Sequence, residues 1–423
     1  MSHPRIDTAV VIAVGSELLT PHRMDTNSLF LTGRLNELAI DVRRKAVVGD
    51  DREALGVAVR RALDDAGLIV LTGGLGPTDD DITRQALANV LETPLVEQDD
   101  LVVEIRQRFE SRGMRMPEIN RRQALVPRGA EVLCNDRGTA PGLWIERDGK
   151  VIVALPGPPR ELEPMVDGEV RERLAARVSG AFLARRVVAV AGRSESHVEE
   201  RAQPVYRQWR DRRASIDATI LAGPGQIELH LSTRAANRPA AEASLDAAVA
   251  ELTAALGPDV YSTDGRSLEA VIGGLLQRRG WRVAVAESCT GGLVASRLTD
   301  VPGSSGYVDL AVVAYGNAAK IDLLGVPAAL IDEHGAVSEP VATAMAVGVA
   351  ARAPAQVGIG ITGITGPSGG TPDKPVGTVC VAISVADGPR VRTFRFRGER
   401  AFVKRQASQA ALDMVRRLLD DCG

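Results

Sequence analysis

At 423 residues, with 45 % apolar and 25 % charged side chains, the chain is long enough for two or three domains, each with its own core. A formal charge of -3 and 3 % aromatic content argue against a general nucleic-acid-binding surface or a base-stacking platform. Cys134, Cys289, Cys380 and Cys422 form no CxxC pair, the five histidines are scattered, and no apolar run reaches the roughly 18 residues of a membrane span, so neither zinc nor membrane is expected.

The amino-terminal stretch lacks the apolar core and cleavage site of a signal peptide, and its run Ala9 to Val14 reads as a strand, consistent with a cytoplasmic protein. From there, "AVVIAV", "LIVLTGG" and "VIVALPGPP" alternate with the helical stretches "TNSLFLTGRLNEL" and "ITRQALANVL". Continuous Val/Ile/Leu strands separated by amphipathic helices predict a parallel sheet covered on both faces, over residues 1–175.

Within it, "LTGGLGPTDDDIT" turns sharply after a strand. Gly73, Gly74 and Gly76 permit backbone N–H groups to face an anion, with Thr78 and Asp80 beside them. Three consecutive acids at an anion cradle call for a divalent cation of the Mg, Mn or Co type. Asp81 and Asp80, with Glu17 and Asp25 from the first strand's end, are the candidate ligands. The competing reading is that the acidic run caps a helix.

Residues 176–262 change pattern: "RRVVAVAG", a helix, "ATILAGPGQIELHLSTR" and a second helix suggest two helices on a small sheet, with a hairpin turn at Gly223-Pro224-Gly225. The order resembles a KH module, but "GPGQ" is not the GxxG clamp used on RNA, so a connecting α+β domain is expected.

From 263 to 423 an α/β alternation returns, with "AVAESCTGGLVASRL" reading as a strand that breaks on a glycine hinge and restarts as a helix. Ser288, Cys289 and Thr290 at this break suit a nucleophile, an anion cradle or a plain helix cap. A serine nucleophile needs a base, and His334 lies at a predicted helix end followed by its glycine cap. Lysine is the alternative. Lys320 follows a strand ending at Tyr315, so Ser288, Tyr315 and Lys320 are candidates to converge, with Asn317 as a helix N-cap. Such a base must lose its proton near neutral pH, which burial or a neighbouring cation achieves. Thr362 and Gly363 open a second glycine-rich element suited to substrate binding, an oxyanion hole or a rigid turn. In the last helix, Arg400 and Lys404 head a row that turns inward.

Two sets of motifs carry a family resemblance spanning nearly the whole chain. "DTNSLFLTGRL", "VGDD", "LTGGLGPTDDDIT", "GTAPG" and "LPGPPREL" resemble the amino-terminal half of the CinA (competence/damage-inducible protein A) family and, at the glycine loop, the molybdopterin-binding MoaB/MogA proteins. "AESCTGG", "VVAYGNAAKIDLLGV", "ITGITGPSGGTPDKPVGTV" and "GERAFVKR" resemble the CinA carboxy-terminal, or PncC, domain. The resemblance implies an α/β chain: a three-layer MoaB/MogA-like domain, a small KH-like α+β middle domain and an α/β PncC-like domain.

It further implies metal-dependent hydrolysis of ADP-ribose in the first domain. In the last it implies metal-independent deamidation of nicotinamide mononucleotide (NMN), in a cytoplasmic enzyme of pyridine-nucleotide salvage. Carried over, Ser288 is the nucleophile, Lys320 its base and Tyr315 a support. Thr290, Gly291, Gly292, Thr362 and Gly363 meet the substrate, and Arg405 or Arg400 polarises it. The expected partners are small nucleotides and a second copy of the chain, a dimer being the default. Rival readings are a molybdopterin-binding protein with a degenerate last domain, and a non-enzymatic adaptor in competence or DNA repair.

Overall fold

The computed structural model describes residues 5–178, 180, 182–211 and 216–421, with backbone only at 210 and 211. His3 and Cys422 lie outside the described residues. Two compact units emerge: Met1–Leu183 with Arg234–Ala241, and Ala184–Thr233 with Glu242–Gly423.

The first unit contains strands β1 (Thr8–Val14), β2 (Asp41–Val48), β3 (Leu68–Thr72), β4 (Leu95–Glu97), β5 (Leu125–Pro127), β6 (Glu131–Leu133), β7 (Gly142–Arg147) and β8 (Lys150–Leu155). Six of them form one sheet in the order β2-β1-β3-β8-β7-β6, while β4 and β5 pair separately. The β2-β1-β3-β8 part is parallel, as the apolar runs predict. The sheet as a whole is mixed, because β7 runs antiparallel to both β6 and β8. The cause is local. Asp148 and Gly149, at φ 49 and 76, make a two-residue turn between β7 and β8, and only antiparallel strands can be joined so tightly.

Helices α1 (Asn27–Glu37), α2 (Arg52–Asp65), α3 (Thr83–Val90), α4 (Asp99–Glu110), α5 (Pro159–Met165) and α6 (Arg171–Ala175) accompany this sheet. Alternate residues of β1 serve its two faces: Val10, Ile12 and Val14 join a core with Leu55, Val59 and Leu87, whereas Ala9 and Val11 join one with Leu31 and Leu35. The result is three layers.

In the second unit, β9 (Phe182–Ala191), β10 (Ile216–Gly223), β11 (Gln226–Ala235) and β12 (Val260–Ser262) form a sheet ordered β10-β11-β9-β12, with α7 (Glu195–Tyr206) and α8 (Arg238–Leu256). The predicted hairpin is present: Gly223 pairs with Gln226 across Pro224-Gly225. This segment is not independent of the carboxy-terminal part of the chain. Ala189, Ala191 and Tyr261 share a core with the last helix. The Asp259 carboxylate accepts from Arg193 at 2.7 Å and from Arg417 at 2.9 Å. Residues 184–233 and 242–262 fall in the same compact unit as the carboxy-terminal part of the chain.

The remainder is a five-stranded sheet ordered β14-β13-β15-β16-β17, built from β13 (Val283–Glu287), β14 (Val308–Val313), β15 (Val357–Gly363), β16 (Thr378–Ser384) and β17 (Arg390–Arg395). β13 lies parallel to β14 and β15, and the last two strands return antiparallel. Helices α9 (Leu268–Arg279), α10 (Leu293–Thr299) and α14 (Arg400–Asp421) cover one face, while α11 (Asn317–Leu324) and α13 (Glu339–Arg352) cover the other, with α12 (Ala328–His334) between the latter two in the chain. β15 and α13 approach so closely that a Cβ at Gly358 or Gly360 would sit 2.2 Å from a backbone oxygen of α13.

Candidate active sites

Three neighbouring strand ends of the second unit carry the predicted residues. Ser288 extends β13, its N–H donating to Ile361 O at 2.9 Å, and on the other side Ala314 N donates to Glu287 O at 2.8 Å. Tyr315, Ser288 and Thr362 therefore stand side by side at the carboxyl edge of the sheet, where ligands of open α/β sheets bind. The chain then turns through Gly291 and Gly292, at φ 63 and 92, into α10.

The three candidate groups of the hinge differ in environment. Burial pushes the Cys289 thiol up to about 12, which removes it as a nucleophile near neutral pH. Thr290 is fully buried and its hydroxyl has no partner among the described residues. Ser288 remains, 8 % exposed, with its hydroxyl in no hydrogen bond among the described residues.

Lys320 is 2 % exposed. Its Nζ donates to Tyr315 O at 3.2 Å, and no carboxylate pairs with it among the described residues. Burial holds its pKa below the ordinary 10.5, against a smaller opposing influence of Cys289. Lys320 reaches this edge from α11 through its bond to Tyr315 O and makes no direct hydrogen bond to Ser288 among the described residues. Gly316, not Asn317, occupies the N-cap of α11. His334 ends α12 before Gly335, and its carbonyl accepts from Lys374 at 2.6 Å, which ties the 364–377 loop to that helix.

The two candidate arginines differ in their contacts. Arg400 donates to the Tyr315 hydroxyl at 2.7 Å and to Gly366 O at 2.8 Å, joining the start of α14 to two loops at the site. Arg405 is exposed and bonds to none of these residues. Lys404, which the sequence places beside Arg400 at the head of the inward row, lies where a Cβ on Gly291 would be 3.4 Å from its Nζ. Thr362 is 1 % exposed and donates its hydroxyl proton to Ala336 O at 2.8 Å, so it offers a ligand only acceptor capacity. Gly363 is packed against Cys289, whose sulfur would lie 3.0 Å from a Cβ there.

The glycine hinge is not an anion cradle. Gly291 N donates to Ser288 O at 3.1 Å, and Gly292 N donates to the Glu287 carboxylate at 3.0 Å.

In the first unit, Glu17, Asp50, Gly73, Gly74, Gly76 and Asp80 border a hollow of about 370 Å³ at the carboxyl edge of β1 and β3. Glu17 also borders an adjoining hollow of about 470 Å³ that contains Asp25 and Asn27. The glycines are sterically required: a Cβ at Gly73 would lie 2.3 Å from Val14 O, and one at Gly74 2.4 Å from the Thr83 hydroxyl. Arg84, buried beneath the loop, donates to Leu75 O at 2.6 Å and Gly76 O at 2.5 Å, and burial lowers its pKa to about 10.

Asp81 does not face the hollow as a free ligand. Its oxygens accept from Gly76 N at 2.6 Å, Thr78 N at 2.8 Å and the Thr78 hydroxyl at 2.6 Å. Asp81 thereby occupies the Gly76 and Thr78 amides, whereas those of Gly74 and Leu75 make no hydrogen bond among the described residues. Asp80 is exposed with a pKa lowered chiefly by the Thr78 hydroxyl, and Asp79 pairs with Arg122. Asp25 accepts from Ser28 N at 2.9 Å. The acidic run does not cap α3 either, whose N-cap is Ile82.

Among the described residues no three His, Cys, Asp or Glu side chains gather closely enough to hold a metal ion. The expected Asp81, Asp80, Glu17 and Asp25 set therefore does not fit a metal as arranged. Asp81→Asn is expected to destabilise the loop by about 1–3 kcal/mol, since an amide N–H₂ would oppose N–H donors; a lowered first-unit unfolding midpoint measures it.

The motif "VGDD" foreshadows Asp50, but its bond from Ser16 N at 3.0 Å was not readable from sequence. Likewise, no sequence signal marked the Asn135 Nδ2 to Glu161 bond at 2.9 Å beside the hollow.

Comparison with known proteins covers both units. A family model described as "CinA C-terminal domain" matches residues 265–419, and one described as "Probable molybdopterin binding domain" matches residues 10–176. A CinA-like protein of Koribacter versatilis is 46 % identical over 415 residues, covering 97 % of this chain and 99 % of that protein. One of Solibacter usitatus is 42 % identical over 409 residues, covering 97 % of each. A solved competence/damage inducible protein from Agrobacterium tumefaciens is 38 % identical, covers 36 % of this chain and 93 % of its own, and has a TM-score of 0.35.

Proposed function

The chain belongs to the CinA family, and on that premise we propose that its second unit hydrolyses the carboxamide of NMN to nicotinate mononucleotide and ammonia. The observation that carries this reading is Lys320: a buried amine with no carboxylate partner among the described residues, bonded to Tyr315 O just past the strand next to the one that ends at Ser288. Burial shifts such an amine towards its neutral form, the form that can take a proton from a serine hydroxyl.

In the proposed reaction, Lys320 accepts the Ser288 hydroxyl proton as Oγ attacks the carboxamide carbon. The C–N bond of the tetrahedral intermediate breaks, and the proton passes from Lys320 to the departing ammonia. Water, deprotonated by the same amine, then cleaves the ester and restores Ser288. Tyr315 and Arg400 form a hydrogen-bonded pair at the mouth and would orient the substrate.

Ammonia release from NMN by the purified chain in excess chelator tests the proposal; none would sink it. Arg400→Gln is expected to raise KM for NMN about tenfold with a smaller change in kcat. Arg405→Gln should leave both near wild type.

For the first unit the proposal is narrower: a phosphorylated ligand such as ADP-ribose, held by the Gly74 and Leu75 amides. No hydrolytic step is assigned there, because among the described residues the carboxylates do not gather into a metal site. Among the described residues no helix is long and apolar enough to cross a membrane.

A further inference from the structure

The proposed reaction leaves one carboxylate in the hinge unexplained. Glu287, the last residue of β13, is 1 % exposed and meets no cation among the described residues. Its Oε2 accepts from Gly292 N at 3.0 Å and Val294 N at 3.2 Å, and its Oε1 from Ala295 N at 2.9 Å. These belong to the donors that a helix start leaves unsatisfied. The residue preceding the serine thus reaches across the glycine turn and fastens the start of α10 back onto the strand. Its own carbonyl is meanwhile tied to Ala314 N at 2.8 Å.

The segment carrying Ser288 is therefore clamped at both ends. Its backbone conformation is held by a side chain that is itself buried. The clamp also removes those three amides from ligand binding, so charge developing on the substrate must be met by other groups.

We propose that Glu287 is the positioning residue of the nucleophile: it fixes the Ser288 hinge in its attacking geometry and withholds the Gly292, Val294 and Ala295 amides from the substrate's anionic groups. This rests on Ser288 being the nucleophile.

Glu287→Gln tests it, because the amide N–H₂ must oppose at least one of the three N–H donors. The expected result is a roughly 100-fold fall in kcat for ammonia release, the scale produced by displacing a catalytic group by about 1 Å. KM should stay within about threefold. The acid limb of the pH profile should not move, since Lys320 is untouched, and amide hydrogen exchange across 288–295 should accelerate. Ala295→Pro deletes the donor to Oε1 at a first-turn position that accommodates proline, and should give the same pattern in smaller degree.

Wild-type kcat in folded Glu287→Gln protein, a loss carried by KM, or unchanged exchange across 288–295 would each overturn the proposal. If Glu287→Gln does not fold, Ala295→Pro decides by the same criteria. Absence of ammonia release from the wild-type chain is a different failure: it sinks the Ser288 reading, and the positioning role with it.

Discussion

Ser288→Ala is expected to reduce ammonia release from NMN at least about 1,000-fold while leaving the thermal midpoint near wild type. Alanine removes the attacking oxygen, and no other group at the hinge is equipped to replace it. Cys289 is held in its neutral thiol form by burial, and Thr290 is sealed from solvent. The stability part of the expectation follows because the Ser288 hydroxyl makes no hydrogen bond among the described residues. Its backbone N–H bond to Ile361 O survives the substitution. NMN binding, measured by calorimetry, should persist in the variant. Retention of wild-type turnover would refute the nucleophile assignment, whereas loss of folding would show Ser288 to be structural.

Lys320→Met is expected to abolish turnover and to raise the stability of the second unit at pH 7. In the folded protein Lys320 holds its proton less tightly than in the unfolded chain, where the value is near 10.5. Unfolding therefore takes up a proton throughout the window between the two values. Stability rises with pH through that window, and the penalty for burying the amine is largest below it. Methionine fills similar space without a proton to lose, so its gain is largest near neutral pH and vanishes as pH approaches 10.5. Each kcal/mol gained should raise the midpoint by roughly 2–4 °C. In the wild-type enzyme, kcat/KM should rise with pH up to the lowered Lys320 pKa and then level off. A Lys320→Met protein that is both inactive and less stable would mean that the charged amine is structural.

Opposite signs in activity and stability are the expected mark of a functional group held in an unfavourable setting. Surface lysines show no such pairing. The same logic separates Arg84 from Lys320: Arg84 is also buried with a lowered pKa, yet its guanidinium is spent on two loop carbonyls, so it serves the loop's shape.

Much of this protein was determined by sequence alone. Apolar runs such as "AVVIAV" and "LIVLT" can only be buried strands, and glycine pairs at strand ends mark turns whose backbone other residues avoid. The scarcity of lysine in the last 161 residues is enough to single out Lys320, Lys374 and Lys404. The hairpin at Pro224-Gly225 was legible for the same local reason.

Tertiary structure alone decided which side chains meet. Arg400 finds partners 85 and 34 residues away in sequence, and nothing in "GERAFVKR" distinguishes it from Arg405. Asp81 reads as a metal ligand until the loop folds back and its own amides take both oxygens. Glu287 reads as an ordinary strand end until α10 returns over it. Asp259 and Arg417, 158 residues apart in sequence, meet only in the folded chain. Periodicity and turn chemistry act through neighbours along the chain, so sequence displays them. Hydrogen-bond partnership depends on the direction of groups brought together from distant segments, and that direction exists only once the layers have packed.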